Sequence, residues 1–141
     1  MEIMGPVTDS FDIYELVSFI KYIVTAIILM AIYVTIYISV TPHAEIKLIR
    51  ENNIAAAIAF SGSLVGFALP IAIIIAHSVN ILGCAIWGLI AIIVQIIVFF
   101  LVRLPVPKIS ERIENDEISS GIWLGAASLT GGIINAACMT Y

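Results

Sequence analysis

The chain alternates between long apolar stretches and short polar segments. No Asp, Glu, Lys or Arg lies between Glu51 and Arg103, and none follows Glu117. Lys21 is the one charged side chain in residues 16–44. Because a helix needs about 20 apolar residues to cross roughly 30 Å of hydrocarbon, each uncharged stretch is long enough for at least one membrane span.

This pattern predicts four transmembrane helices. The uncharged residues 52–102 are too many for one span and suit two, with a break near Ser78-Val79-Asn80, where polar and turn-forming residues cluster. Residues 89–94 form a continuous apolar run without the two-residue alternation of a barrel strand, so helices are favoured. The predicted spans are residues 17–40, 54–77, 83–103 and 118–139.

Composition supports the same class. The chain has 141 residues, of which 62% are hydrophobic and 11% are charged, whereas soluble domains carry roughly 25% charged residues. A water-soluble fold of this length could not bury so much apolar surface. The net charge of −4 argues against nucleic acid as a partner, because nucleic acid needs a basic surface. We therefore expect an all-α integral membrane protein.

The basic residues near the span ends predict an orientation, because Lys and Arg concentrate on the cytoplasmic side. They cluster in the two connecting loops, residues 41–53 and 104–117, whereas Lys21 alone lies toward the other face. Both loops are therefore predicted to be cytoplasmic. Both termini, including a tail of residues 1–16, are predicted to be extracytoplasmic.

The two halves of the sequence resemble each other at a spacing of 64 residues. Ile54-Ala55-Ala56-Ala57-Ile58 aligns with Ile118-Ser119-Ser120-Gly121-Ile122, and each half consists of a span, a charged loop and a small-residue-rich span. A unit of two spans keeps its orientation when it is repeated, so the pattern predicts two parallel repeats, residues 17–77 and 78–141. Convergent composition is the alternative explanation.

Each charged loop is predicted to form a short interfacial helix. Lys47 with Glu51, and Arg112 with Asp116, are spaced for ion pairs along such helices. Asn52-Asn53 and Asp116-Glu117 are placed to cap the spans that follow. These loops are either solvated connectors or a docking surface for a cytoplasmic partner. The candidate docking residues are His43, Glu45, Lys47, Arg50, Lys108 and Arg112.

The second and fourth spans carry small residues at intervals of four, three and four, which places them on one helix face. Small residues let helix backbones approach closely, and such packing drives helix association in lipid. We expect helix packing at these faces; a pathway lined by backbone carbonyls is the alternative. The two faces are Ala55, Ala59, Gly62 and Gly66, and Gly121, Gly125, Ser128 and Gly132.

A few polar or helix-breaking residues within the spans are candidates for function. Gln95 and Asn135 are intramembrane amides, which are costly in lipid and serve either as functional groups or as interhelical hydrogen-bonding groups. Pro70 should kink the second span, because it removes the bond to the carbonyl of Gly66. His77 ends that span and is predicted to be a boundary residue.

The sequence contains no pattern typical of catalysis. It has no nucleophile paired with a base, no paired carboxylates within the spans and no glycine-rich phosphate loop. Nothing completes a metal site around His43 and Glu45, and no cofactor is predicted. Cys84 and Cys138 should lie near the same outer face, which leaves a disulfide between them open. An enzyme is therefore not expected.

Several motifs resemble the DUF350 or UPF0719 family: Thr41-Pro42-His43-Ala44-Glu45, Asn52-Asn53-Ile54-Ala55-Ala56, Ala59-Phe60-Ser61-Gly62, and the ending at residues 135–141. The resemblance covers nearly the whole chain, although Ile54 stands where the family is expected to have Thr. It implies a bacterial inner-membrane protein with four spans and two DUF350 repeats, and no assigned activity or site residues. It also implies a PspA-like peripheral partner, by analogy with the neighbourhoods of family members.

Two functions fit these features. The first is a structural or adaptor component of a membrane assembly or membrane-stress system, working as a homo-oligomer whose loops meet a peripheral partner. The alternative is a small homo-oligomeric channel or transporter for an ion or small solute, in which Pro70, Gln95 and Asn135 would take part. Gln95→Leu is expected to be nearly silent in the first case and damaging in the second.

Overall fold

Six α-helices make up the part of the chain that the computed structural model describes, residues 12–41 and 45–140. Four of them are long and apolar enough to cross a membrane, so the prediction of four spanning helices is confirmed. Two short helices connect the spans in pairs. The helices are α1 (Ile13–Val40), α2 (Glu45–Arg50), α3 (Ile54–His77), α4 (Ile81–Val102), α5 (Ile109–Glu114) and α6 (Ile118–Cys138).

Side-chain caps determine where the spans begin. α1 starts at Ile13, earlier than the predicted residue 17, because the Asp12 carboxylate accepts a hydrogen bond of 3.0 Å from the backbone N–H of Tyr14. α4 starts at Ile81 rather than 83, since the Asn80 side chain accepts from Gly83 N at 2.7 Å. Residues 1–11 of the predicted tail lie outside the described residues.

The centre of the bundle is the parallel pair α3 and α6, whose small-residue faces pack directly against each other. A Cβ atom on Gly62 would overlap backbone atoms of Gly125, and a Cβ atom on Gly132 would overlap backbone atoms of Gly66. A Cβ atom on Gly125 would lie 2.7 Å from the carbonyl oxygen of Ile58. Backbones this close gain dispersion and Cα–H···O contacts, which offset the unfavourable alignment of two parallel helix dipoles.

α1 is held to α3 and α4 by large side chains on one face. The ring of Tyr33 stacks on Phe67 of α3 with centroids 4.3 Å apart, and Tyr37 meets Phe99 of α4 edge-on at 5.1 Å. Leu29 fills the space left by Gly88 of α4. The exposed large hydrophobic side chains of α1 are mostly isoleucine and valine, as expected of a helix surface that contacts lipid tails.

The two connectors have the same backbone conformation. Asn52 and Asp116 are both left-handed, with φ of 65° and 57°, a region that Asn and Asp tolerate. The next backbone N–H in each connector donates to a carbonyl of the preceding short helix. Asn53 donates to Leu48, and Glu117 donates to Arg112, each at 2.9 Å. Asn53, which follows α2, donates to the carbonyl of Ile113 in α5, so α2 and α5 lie at the same end of the bundle, which we call the connector end.

Candidate functional site

Four polar side chains, one from each spanning helix, meet in the interior of the bundle. Tyr33, Ser63, Gln95 and Ser128 are each only 1% exposed, and we refer to them as the four-helix cluster. They lie seven to ten residues from the connector ends of their helices, which corresponds to a depth of about 10–15 Å. That depth is near the middle of a hydrocarbon layer roughly 30 Å thick.

Hydrogen bonds and close contacts link the members of the cluster. The hydroxyls of Tyr33 and Ser63 are hydrogen-bonded to each other, and the Tyr33 hydroxyl also interacts with the Gln95 side chain. Gln95 Nε2 donates to the backbone carbonyl of Ser128 at 2.9 Å. The amide fits there because Gly66 has no side chain: a Cβ atom on Gly66 would lie 2.9 Å from Gln95 Nε2.

Tyr37 extends this polar interior toward the connector end. Its ring centroid is 6.1 Å from that of Tyr33, and its hydroxyl donates to Glu45 Oε1 at 3.1 Å. Glu45 is 0% exposed. We expected it on the docking surface, and the structure instead buries it beneath α1, where the tyrosine hydroxyl hydrogen-bonds its carboxylate. Arg103 lies close by, 5.2 Å from the centroid of the Phe99 ring.

The remaining candidates within the spans have separate environments. Asn135 Nδ2 donates to the carbonyl of Ala91 at 3.4 Å, which joins α6 to α4. Pro70 is buried in α3, and the Gly66 carbonyl that it leaves without an N–H donor is covered by Gly132 of α6. His77 is exposed at the opposite end, with Nδ1 3.0 Å from the carbonyl of Ile73. A cavity of about 450 Å³ beside it is lined by Asn80, Trp87, Met139 and other residues of that end.

All eight residues of the two predicted small-residue faces lie on the α3–α6 pair. Seven of them are buried and Gly62 is half-buried, and each of the five glycines lies against the backbone of the facing helix. The structure thus brings the two faces together within a single chain. Further copies of the protein would have to associate through other surfaces.

Four of the predicted docking residues are exposed at the connector end: Lys47, Arg50, Lys108 and Arg112. His43 lies outside the described residues. Arg112 is 4.0 Å from Glu117, not paired with Asp116 as its spacing had suggested. Asp116 is engaged elsewhere, because its carboxylate accepts from the backbone N–H of Ala55 at 3.0 Å.

Asn53 and Asp116 join the starts of α3 and α6. The Asn53 side chain accepts from Ala56 N at 2.8 Å, which caps its own helix as predicted. Its amide also donates to the carbonyl of Ile113 at 2.8 Å. Asp116 in turn accepts from α3, so both bonds tie the second connector to the start of α3. We refer to this hydrogen-bonded connector end as the platform.

The described residues contain no group of three or more His, Cys, Asp and Glu side chains arranged to hold a metal ion. Cys84 is buried and Cys138 is exposed, and both are free thiols. The side chains that come together are neutral hydroxyls and amides in the interior, and charged groups at the connector end.

Tyr33, Tyr37 and Ser63 were not among the residues singled out from the sequence. Leu29, Tyr33 and Tyr37 recur at intervals of four, which places them on one helix face. Two phenol hydroxyls on the buried face of a span require partners, and that requirement could have identified the site. Ser63 offers no such signal, because serine also occurs as a small packing residue.

Comparison with known proteins identifies the family of the chain. The family model described as Domain of Unknown Function (DUF350) matches residues 10–139. The UPF0719 inner membrane protein YjfL, from two strains of Escherichia coli, is 42% identical over 127 residues, which cover 90% of this chain and 96% of that protein. The UPF0719 transmembrane protein YshE of Bacillus subtilis is 28% identical over 109 residues, covering 76% of this chain and 81% of that protein. No solved structure matches the chain. The protein is an integral membrane protein that belongs to the DUF350 (UPF0719) family.

Proposed function

We propose that the protein is a scaffold of a bacterial inner-membrane assembly, presenting α2 and α5 to a peripheral partner in the cytoplasm. The observation that carries this proposal is the hydrogen-bonded platform at the connector end. Hydrogen bonds of Asn53 and Asp116 tie the second connector to the start of α3, and Glu45 ties α2 to Tyr37 of α1. The exposed cations therefore project from hydrogen-bonded segments: Lys47 and Arg50 from α2, and Lys108 and Arg112 from the second connector. Fixed charges lose little conformational entropy when a partner binds them.

Two parallel copies of one two-helix unit account for this platform. α2 and α5, and likewise α3 and α6, begin 64 residues apart, which is the spacing of the sequence similarity. The left-handed Asn52 and Asp116 are at equivalent positions. A duplicated unit keeps its orientation in the membrane, so both charged connectors would face the cytoplasm and both termini the outside. Alkaline phosphatase fused to the C-terminus is then expected to be active, and an inactive fusion would invert this orientation.

A structural role is also favoured by the use of the intramembrane amides. Gln95 and Asn135 each donate to a backbone carbonyl of a neighbouring helix. In the alternative, a small homo-oligomeric channel or transporter, such amides would line a pathway. Gln95→Leu no longer separates the two functions by itself, because it also removes a bond between α4 and α6.

Flux through reconstituted protein separates the two functions more directly. We expect proteoliposomes to be no more permeable to ions or small solutes than protein-free liposomes, because the small-residue faces close the bundle centre. Flux that depends on the protein would favour the channel. Catalysis is not part of the proposal.

The partner that family analogy suggests is a PspA-like peripheral protein, and it should bind the cations of the platform. We expect Lys47→Glu with Arg50→Glu to weaken its co-sedimentation with proteoliposomes at least about tenfold, since several charged contacts of about 0.5–1 kcal/mol each would be reversed. Both side chains are exposed, so the unfolding free energy should change by no more than about 0.5 kcal/mol.

The matched control is Lys21→Glu, an exposed charge near the other end of α1. It should leave binding unchanged. Equal binding by the wild type and the Lys47/Arg50 variant would contradict the scaffold proposal. A homo-oligomer, also part of this proposal, should appear in native mass spectra as a discrete multiple of the 15.2 kDa chain.

A further inference from the structure

The four-helix cluster contains two buried side-chain oxygen atoms without a hydrogen-bond partner in the described part of the chain. Gln95 Oε1 and Ser128 Oγ have no hydrogen-bond partner among the described residues, although both side chains are 1% exposed. In an apolar interior an unpartnered polar atom destabilises the folded state, because it has lost its hydrogen bonds to water without replacing them. Gln95 and Ser128 contact each other at mid-membrane depth. Two unpartnered oxygen atoms at this place therefore require an explanation in terms of a ligand or a function.

The hydrogen bonds around Gln95 define which atoms are available to a ligand. The backbone carbonyl of Ser128 can only accept, so the nitrogen of the Gln95 amide must face it and the amide oxygen must point elsewhere. The Tyr33 and Ser63 hydroxyls are bonded to each other and retain lone pairs. The cluster thus offers neutral oxygen atoms, the ligands that hard metal cations prefer.

Charge restricts the class of ion. None of the four side chains is a carboxylate, and the cost of burying an ion in a low-dielectric interior rises steeply with its charge, so a divalent cation would be poorly compensated. An anion is disfavoured because the cluster has more oxygen lone pairs than free donors: one Gln95 amide N–H is engaged by the Ser128 carbonyl, and one hydroxyl proton lies between Tyr33 and Ser63. Tyr37 lies between Tyr33 of the cluster and the Glu45 carboxylate at the connector end. The negative charge of that carboxylate favours a cation over an anion in the cluster.

We propose that Tyr33, Ser63, Gln95 and Ser128 form an intramembrane binding site for a monovalent metal cation, Na⁺ or K⁺. The ligands are the hydroxyl and amide oxygens of the cluster, with one residue contributed by each spanning helix. Because the four ligands come from four different helices, an ion bound among them would hold the bundle together. Binding of the ion should therefore be measurable as stability.

The test is thermal unfolding of the purified full-length protein in detergent at constant ionic strength, with choline chloride replaced stepwise by NaCl or KCl. We expect a saturable rise of the unfolding midpoint of at least about 3 °C with one of the two metal cations, because a ligand that binds only the folded state stabilises it. Equal midpoints in choline, Na⁺ and K⁺ would overturn the proposal and indicate that the cluster holds only water.

Two variants locate the effect. Ser128→Ala removes one oxygen at nearly constant volume and should weaken the cation dependence at least about tenfold, since charged-group interactions in apolar surroundings exceed about 1.4 kcal/mol. Gln95→Leu should abolish it. Ser61→Ala, an exposed hydroxyl of α3, is the control and should keep it. A cation dependence that survives in Ser128→Ala and Gln95→Leu would place the ion elsewhere and refute the site.

Discussion

Gly132→Ala is expected to destabilise the protein by about 3 kcal/mol or more, because the new Cβ atom overlaps the backbone of Gly66 and must separate α3 from α6. Alanine is the better helix former by about 1 kcal/mol, so the steric term outweighs the gain in propensity. Reversible unfolding in mixed micelles, followed by the fluorescence of Trp87 and Trp123, measures the free energy.

Gly131→Ala is the matched control on the same helix. Its Cβ atom would meet the side chain of Val98 rather than backbone, and a side chain can shift. The expected loss is about 1 kcal/mol or less, because the gain in helix propensity offsets part of the crowding. Equal stabilities of the two variants would show that α3 and α6 do not approach as closely as described.

Asn53→Ala is expected to cost about 2 kcal/mol, the second largest effect. About half comes from the lost cap on Ala56 N and about half from the lost buried hydrogen bond to the Ile113 carbonyl, which keeps its backbone donor, Asp116 N. Unfolding in mixed micelles measures the sum. The expected physical consequence is a loosened platform, because the start of α3 is no longer tied to α5.

Asn53→Ser separates the two contributions. Serine can cap the helix, but its hydroxyl is too short to reach the Ile113 carbonyl, so about 1 kcal/mol of the loss should remain. A serine variant as stable as the wild type would mean that the bond between the halves contributes nothing. A serine variant as unstable as the alanine variant would mean that the cap contributes nothing.

The spanning helices could be located from the sequence with small errors. α3 is predicted and observed at the same residues, since a run of apolar residues between Asn53 and Ser78 leaves the backbone no hydrogen-bonding alternative to a helix in lipid. The sequence predicts the start of α1 too late, because hydropathy does not detect a helix cap. The cap at Asp12 extends the helix past Glu15 toward the N-terminus. Capping chemistry, not hydrophobicity, sets that boundary.

The polar interior could be predicted only in part. Gln95 and Asn135 are conspicuous amides in apolar spans, whereas Ser63 looks like any small packing residue. Glu45 appeared to be a surface charge because it lies in a charged segment, yet the tyrosine face of α1 covers it. The burial of a residue in a short connecting helix depends on which spanning helix packs over it. The sequence around the residue does not show which helix that is.

The sequence by itself determines how many times this chain crosses the membrane, which residues share a helix face and which end is charged, because these depend on hydrophobic length and on the helical repeat. Only the tertiary structure decides that the two small-residue faces meet each other, that Asn53 bonds to Ile113, and that one polar residue from each span converges on one point. Lipid tails are as apolar as leucine, so hydropathy does not distinguish a helix face that contacts lipid from one that contacts another helix. The rotation of each helix about its axis is therefore set by the close packing of all four helices together.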